Sequence, residues 1–281
     1  MTKLYNRKTK KYVDNVQYCG DALTKLYNNK HLTLIATSKF VSDIYGLYTK
    51  TRISKLMIKK FIKENNIDMK RFKEEKYKNF NDFFIRNLKK IDIDKKENHL
   101  ISPCDSKLLV YNINEDLKVS IKNITYTFDE LFDNERLDEF KNGYMLVFRL
   151  AVDDYHRFCY IDDGITLTNK SIKGRYHTVT NTSKKYSIYK ENHREYSILK
   201  TNNFGKIIYM EVGALLIGRI VNHNIKEFKR GEEKGYFLPG GSTIVLIVKD
   251  AKIDKDILEN SKQGIETIIN IGEKIGEKVK K

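Results

Sequence analysis

Proline and cysteine are scarce in this 281-residue sequence and tryptophan is absent. Two prolines, Pro103 and Pro239, and fifteen glycines leave no stretch resembling a flexible linker. The three cysteines, Cys19, Cys104 and Cys159, are far apart and odd in number, which argues against a disulfide framework and fits a reducing compartment. No apolar run approaches the roughly 20 residues that a bilayer-spanning helix requires. The lysine-rich first eight residues do not lead into a signal-like apolar core. His156 and Cys159 are spaced as metal ligands can be, but no second pair accompanies them, so no metal site is expected. No internal repeat of solenoid length is present.

Charge is plentiful and unevenly placed. Residues 1–90 hold 22 Lys and Arg against 8 Asp and Glu, whereas the rest of the chain holds 31 against 29. Nearly the whole formal net charge of +16 therefore belongs to the first third. A solvated set of lysine-rich helices would account for it. Attraction to an anionic surface is the reading favoured here, because apolar residues are interleaved with the charges. Ile53, Leu56, Met57, Phe61 and Ile62 recur at helical spacing with Lys55, Lys59, Lys60 and Lys63 on the complementary face, predicting an amphipathic helix. Leu32, Ile35, Phe40, Val41, Ile44 and Leu47 suggest another helix before it.

Beyond residue 91 the pattern changes to short β-branched and aromatic runs at 108–113, 144–152, 206–212, 214–221 and 243–248, separated by Gly, Asn or Asp. Phe128-Asp-Glu-Leu-Phe132 reads as a short helix between strands, while residues 255–281 are too irregular to assign. The expected fold class is α+β, with a helical N-terminal region followed by a β-rich domain. With 40% hydrophobic residues there is enough apolar material for a sizeable core.

Chemistry is signalled most strongly by Gly240-Gly-Ser-Thr243, set between Tyr236-Phe-Leu-Pro and the apolar run 243–248. By itself Gly-Gly between apolar runs is a hairpin signature. It is also a place where flexible backbone leaves the Gly241 carbonyl open to the Ser242 hydroxyl. Serine is a poor nucleophile unless a base takes its proton. His156, in Asp154-Tyr-His-Arg157, and Asp105, in Ser102-Pro-Cys-Asp105, supply an imidazole and an acid. Sequence alone does not show that they meet.

Taken in order, Phe80-Asn-Asp-Phe-Phe-Ile-Arg86, Ser102-Pro103 with Asp105, Asp154-Tyr-His-Arg157, Val212-Gly-Ala214 and Gly240-Gly-Ser-Thr243 resemble the phosphatidylserine decarboxylase family. The resemblance implies an inactive proenzyme in which Ser242 attacks the Gly241 carbonyl. The chain then breaks into a large chain, 1–241, and a small chain, 242–281. Ser242 becomes a pyruvoyl group, the covalent cofactor, which forms a Schiff base with the amine of phosphatidylserine and acts as an electron sink for loss of carbon dioxide. The product implied is phosphatidylethanolamine. Asp105 and His156 are implied as charge-relay partners for self-cleavage, and His156 also as a proton donor. On this reading residues 1–90 are a basic, amphipathic membrane-docking region and residues 91–281 the decarboxylase domain. The protein is expected to sit peripherally on the cytoplasmic face of the cell membrane, where it meets phosphatidylserine among anionic lipids. The resemblance leaves room for a homodimer of processed protomers.

Two departures from the family pattern bear on the site. Many relatives carry a second histidine where this chain has Cys159. Histidine, with an ordinary pKa of about 6.5, suits a base better than cysteine at about 8.5, which favours His156 over Cys159. Relatives often read Ser-Pro-Ala-Asp-Gly where Cys104 and Ser106 flank Asp105 here. His177 is a secondary pocket candidate, weighed against an ordinary strand histidine. Two rival functions stand beside this reading. Single-stranded nucleic-acid binding would use the basic charge and the eighteen tyrosines, but the positive excess avoids the β-rich part, so no nucleic-acid partner is expected. A noncatalytic β-rich binding module would make the glycines turns and Ser242 ordinary.

Overall fold

The computed structural model describes residues 3–15, 20–73, 76–121, 124–133, 137–178, 186–215, 219–239 and 242–279. Its backbone is a ten-stranded sheet in the order Glu227–Phe228, Gly164–Ile172, Arg194–Thr201, Gly205–Val212, Ser242–Val248, Tyr144–Leu150, Ser106–Asn112, Glu266–Ile269, Lys3–Asn6, Lys11–Asp14. All neighbours run antiparallel except Lys3–Asn6 beside Glu266–Ile269. The sequence Ser-Thr-Ile-Val-Leu-Ile-Val places β-branched and aliphatic side chains at every position after Thr243, as suits a strand covered on both faces. Every residue of that strand is buried. Ile244, Leu246 and Val248 pack with Leu146, Phe148 and Leu150 on one face, and Val245 and Ile247 with Met145 and Val147 on the other. Each such side chain contributes about 1.5–3 kcal/mol through burial. Truncating Leu246 to Ala would cost about 2–5 kcal/mol.

A second, three-stranded sheet of Ile220–Asn222, Glu233–Phe237 and Arg157–Cys159 packs through Phe158, Ile220 and Phe237 into the core on one face of the first. Two crossings join the sheets. Tyr144–Leu150 continues through residues 151–156 into Arg157–Cys159, and Glu233–Phe237 continues through 238–241 into Ser242–Val248. Because both partners pair within each sheet, Ser242 opposite Leu150 and Tyr236 opposite Arg157, the two crossings span the same gap.

The run from Leu32 to Leu47 forms two helices, Lys30–Ala36 and Lys39–Thr49. Thr37 ends the first by returning its hydroxyl to the Thr33 carbonyl at 2.8 Å, and the Ser38 side chain caps the second. The amphipathic stretch divides as well, into a 3-10 turn, Arg52–Leu56, and a helix, Met57–Glu64. Met57, Ile58, Phe61 and Ile62 dock on Phe80, Phe83 and Phe84, whereas Ile53 and Leu56 project into solvent. Ahead of the helices, Lys3–Asn6 and Lys11–Asp14 belong to the large sheet.

One strand reading changes in the folded chain, and one unassigned stretch resolves. Regular pairing stops at Val212, where Gly213 donates to the His193 carbonyl instead; among the described residues the next strand is Ile220–Asn222, in the second sheet. The irregular tail resolves into a helix, Lys255–Lys262, and strands Glu266–Ile269 and Lys274–Lys278, two periodicities in succession that defeat a single assignment. Phe128–Phe132 is the expected short helix, held by a Thr127/Glu130 capping box.

Candidate active site

Ser242 opens its strand at full burial, on the face shared with Leu150 and Ile244. Gly241, the expected other side of the scissile bond, lies outside the described residues. His156 ends the neighbouring crossing, also fully buried. Its Nδ1 is 2.9 Å from the Asp154 carbonyl oxygen. A carbonyl only accepts, so Nδ1 carries the proton and Nε2 presents its lone pair. The ring of Phe84 packs on the imidazole at a centroid distance of 4.1 Å, and the His156 carbonyl accepts from Phe237 N–H. Burial pulls the imidazole down to about 3, against the opposing pull of the Asp154 carboxylate, so it is neutral at physiological pH. Among the described residues neither Ser242 Oγ nor His156 Nε2 has a hydrogen-bond partner. Buried polar atoms are ordinarily satisfied, and an unpartnered hydroxyl and an unpartnered imidazole nitrogen at segments that join the same two sheets have the chemistry of a nucleophile and its base, although Ser106 Oγ and Thr243 Oγ1 are unpartnered too.

Asp105 stands at the foot of Ser106–Asn112 and is almost wholly buried. Arg71 Nη2 reaches one carboxylate oxygen at 2.6 Å, and Ile271 N–H donates to the other at 2.9 Å. Burial lifts this carboxyl above its ordinary range despite both donors. His156 is not among its hydrogen-bond partners. The carboxylate tied to the imidazole's own turn is Asp154, which accepts both Lys107 Nζ and Ala151 N–H at 2.7 Å. Burial pushes the Asp154 carboxyl up, but Lys107 more than reverses this and leaves it below the usual range.

Cys159 and Cys104 are buried free thiols. Burial drives the Cys159 thiol up to about 12, which makes it a poor base. Its main-chain N–H donates to Pro103, tying the histidine-bearing segment to the Asp105 loop. His177 is elsewhere. It stacks on Tyr186, lies 3.4 Å from the Tyr27 hydroxyl by Nδ1, and has its backbone held on both sides by the Asn192 amide. Burial lowers its pKa despite Glu191.

Sequence reasoning missed Arg71 and Lys107. Arg71 sits in a basic stretch with nothing local to distinguish it. Lys107 lies two residues after Asp105 and directly opposite Arg149 on the next strand. Such a juxtaposition of buried like charges demands counter-ions, but only the register reveals it.

A cleft of about 610 Å³ opens beside the second crossing. Leu238 and Pro239 line it with the Lys39–Thr49 helix, and Lys39, Lys50, Lys173 and Arg219 make it basic. The Phe80–Arg86 segment backs the site. Besides Phe84 on His156, the Arg86 guanidinium lies over the Phe72 ring at 4.1 Å and approaches the Asp153 carbonyl at 3.4 Å.

A family profile described as phosphatidylserine decarboxylase matches residues 80–277. The chain is 51% identical to "Phosphatidylserine decarboxylase proenzyme 2" of Clostridium acetobutylicum, over 98% of each chain. It is 44% identical to the phosphatidylserine decarboxylase proenzyme of Clostridium tetani over 99% of each chain. Against that of Clostridium perfringens it is 41% identical, over 99% of this chain and 100% of the other. With the Gly-Ser junction, the histidine crossing and the Phe80–Arg86 backing all inside or at the matched span, this chain belongs to the phosphatidylserine decarboxylase family and is an enzyme of that type.

Proposed function

We propose that the chain cleaves itself between Gly241 and Ser242 and that the processed enzyme decarboxylates phosphatidylserine to phosphatidylethanolamine. The observation that carries this reading is the pair of buried, unpartnered atoms, Ser242 Oγ at the start of its strand and His156 Nε2 at the end of the 151–156 turn, on neighbouring strands that both lead between the same two sheets. His156 accepts the Ser242 hydroxyl proton at Nε2 while its Nδ1–H stays on Asp154. The oxygen attacks the Gly241 carbonyl carbon and the Gly241–Ser242 amide becomes an ester, the proton passing to the freed Ser242 nitrogen. Loss of the Ser242 α-proton then expels residues 1–241 as a carboxylate. Hydrolysis of the remaining enamine releases ammonia and leaves a pyruvoyl cap on residues 242–281. That cap supplies a ketone that receives the substrate amine and draws off the electron pair left by carbon dioxide. The burial of His156 against Phe84 supports a role for it in returning a proton. Asp105, fixed by Arg71 and Ile271, shapes the loop behind Cys159.

The basic cleft beside Leu238 and Pro239 suits an anionic headgroup. Its wall, the Lys39–Thr49 helix, exposes Phe40, Ile44 and Leu47, and Ile53 and Leu56 of the following 3-10 turn are exposed as well. Among the described residues no helix is long and apolar enough to cross a membrane. We assign peripheral docking on an anionic bilayer to the Lys39–Thr49 helix and the Arg52–Leu56 turn of the basic first 90 residues, their exposed apolar side chains entering the interface and lysines facing headgroups, since Lys3–Asn6 and Lys11–Asp14 pair in the large sheet and Met57–Glu64 packs inward. Intact mass with and without borohydride tests the mechanism. Two fragments are expected, the shorter one lacking a free amine and gaining two hydrogens on reduction. An active, uncut 33.1 kDa chain would refute it.

A further inference from the structure

We propose that Lys107 is a positioning residue for His156: through the Asp154 carboxylate it holds the 151–156 turn so that the imidazole keeps a single tautomer, Nδ1 protonated and Nε2 open. The proposed self-cleavage supplies one readout of this inference, and the imidazole itself supplies another that does not depend on it.

Lys107 is a buried ammonium whose nitrogen lies 2.7 Å from both Asp154 oxygens and 3.7 Å from Asp153. Its cross-strand neighbour Arg149 is claimed by Glu266, at 2.8 and 2.5 Å. Two like charges thus lie side by side, each with its own counter-ion, and the counter-ion of Lys107 is in the turn that carries the histidine. Asp154 turns that ion pair into geometry. One of its oxygens also accepts Ala151 N–H, closing the turn, and its main-chain carbonyl receives His156 Nδ1–H. Phe84 and the Phe237 N–H then leave the imidazole little freedom.

The action is indirect. Lys107 shares a sheet face with Arg149 and Thr243, whereas Ser242 lies on the other, so the turn wraps the sheet end between them. Without the ammonium, Asp154 would be a buried carboxylate beside Asp153 with no cation in hydrogen-bond contact, Arg149 and Arg86 acting only at longer range, and it would take a proton or move. Either outcome releases the carbonyl that fixes the ring. The charged groups facing this cluster are Arg149 and Glu266 from the sheet, Asp105 from the neighbouring loop, Arg86 from the Phe80–Arg86 segment and Asp153 in the turn itself.

The test uses the full chain with nitrogen-15-labelled histidine in a Ser242→Ala background, the His156 signals being assigned by loss in His156→Asn. With Lys107 present, Nδ1 should be of the protonated type and Nε2 of the lone-pair type across about pH 5 to 8. Lys107→Met should give averaged tautomers, and in the Ser242-containing chain it should slow self-cleavage by about 100-fold. If Lys107→Met does not fold, Lys107→Gln keeps a donor without the charge and should shift both readouts the same way. An unchanged imidazole signature in a folded variant overturns the proposal, whether or not cleavage slows. Should the chain with Lys107 fail to cleave at all, the Ser242 mechanism falls while the imidazole measurement still judges Lys107.

Discussion

His156 is a histidine the fold keeps neutral, and that has a thermodynamic cost with a definite sign. Its pKa falls from about 6.5 in the unfolded chain to about 3 when buried. Between these values the unfolded state binds the proton and the folded state does not, so stability rises with pH through this window and is lost on acidification. At pH 5 the loss attributable to His156 should be about 2 kcal/mol. Denaturant titrations of the Ser242→Ala chain at pH 7 and pH 5 check this, since His156→Asn should flatten the difference. The same burial separates the two candidate bases. Cys159→Ala should slow self-cleavage far less than the 100-fold or more expected for removing a general base. A near-complete block, read as a persistent intact mass, would transfer the role to the thiol. Ser242→Ala should leave one 33.1 kDa species without decarboxylase activity.

The Lys39–Thr49 helix spends its apolar residues unusually for an element of a folded domain. Phe40 is 72% exposed and Leu47 67%, and Leu56 in the adjoining 3-10 turn is 83% exposed. Burying them in a lipid interface would gain what leaving them in water forfeits. Phe40→Ser with Leu47→Ser should weaken binding to vesicles containing anionic lipid by on the order of tenfold or more. It should also change unfolding stability by less than about 0.5 kcal/mol. Sedimentation with vesicles and a denaturant curve measure the two effects, and a loss of stability without a loss of binding would count against docking through this face. The neighbouring Met57–Glu64 helix answers differently. Its apolar side packs on Phe80 and Phe83, so alanine at Phe61 should unfold rather than detach, at a cost of about 3–5 kcal/mol if its partly buried ring is fully supported.

At the scale of the whole molecule, the proposed break falls at the edge of the most deeply buried strand. Ser242–Val248 lies between Gly205–Val212 and Tyr144–Leu150, and Glu266–Ile269 lies between Ser106–Asn112 and Lys3–Asn6. The small chain would thus contribute two interior strands to a sheet built mostly from the large one. Cleavage removes one peptide bond and none of these ladders. The fragments should co-elute on native size exclusion and separate only in denaturant. Dissociation in native buffer would show that the sheet does not hold the processed enzyme together.

The sequence by itself determined the class of fold and the runs that became Gly205–Val212 and Ser242–Val248, because short-range periodicity and local composition carry them, and its short motifs pointed to Ser242, His156 and Asp105 as candidates through their resemblance to one family. It also determined that the positive charge belongs to the first third. Tertiary structure alone decided who partners whom. Asp105 is bound by Arg71, thirty-four positions earlier, and His156 is fixed by the Asp154 carbonyl behind a lysine from another strand. It also decided that the apolar side of Met57–Glu64 faces inward while Phe40, Ile44 and Leu47 of Lys39–Thr49 face out, since helical spacing does not say what lies opposite a helix. Such choices depend on strand register and on what lies opposite, and those are set by contacts between residues far apart in the chain.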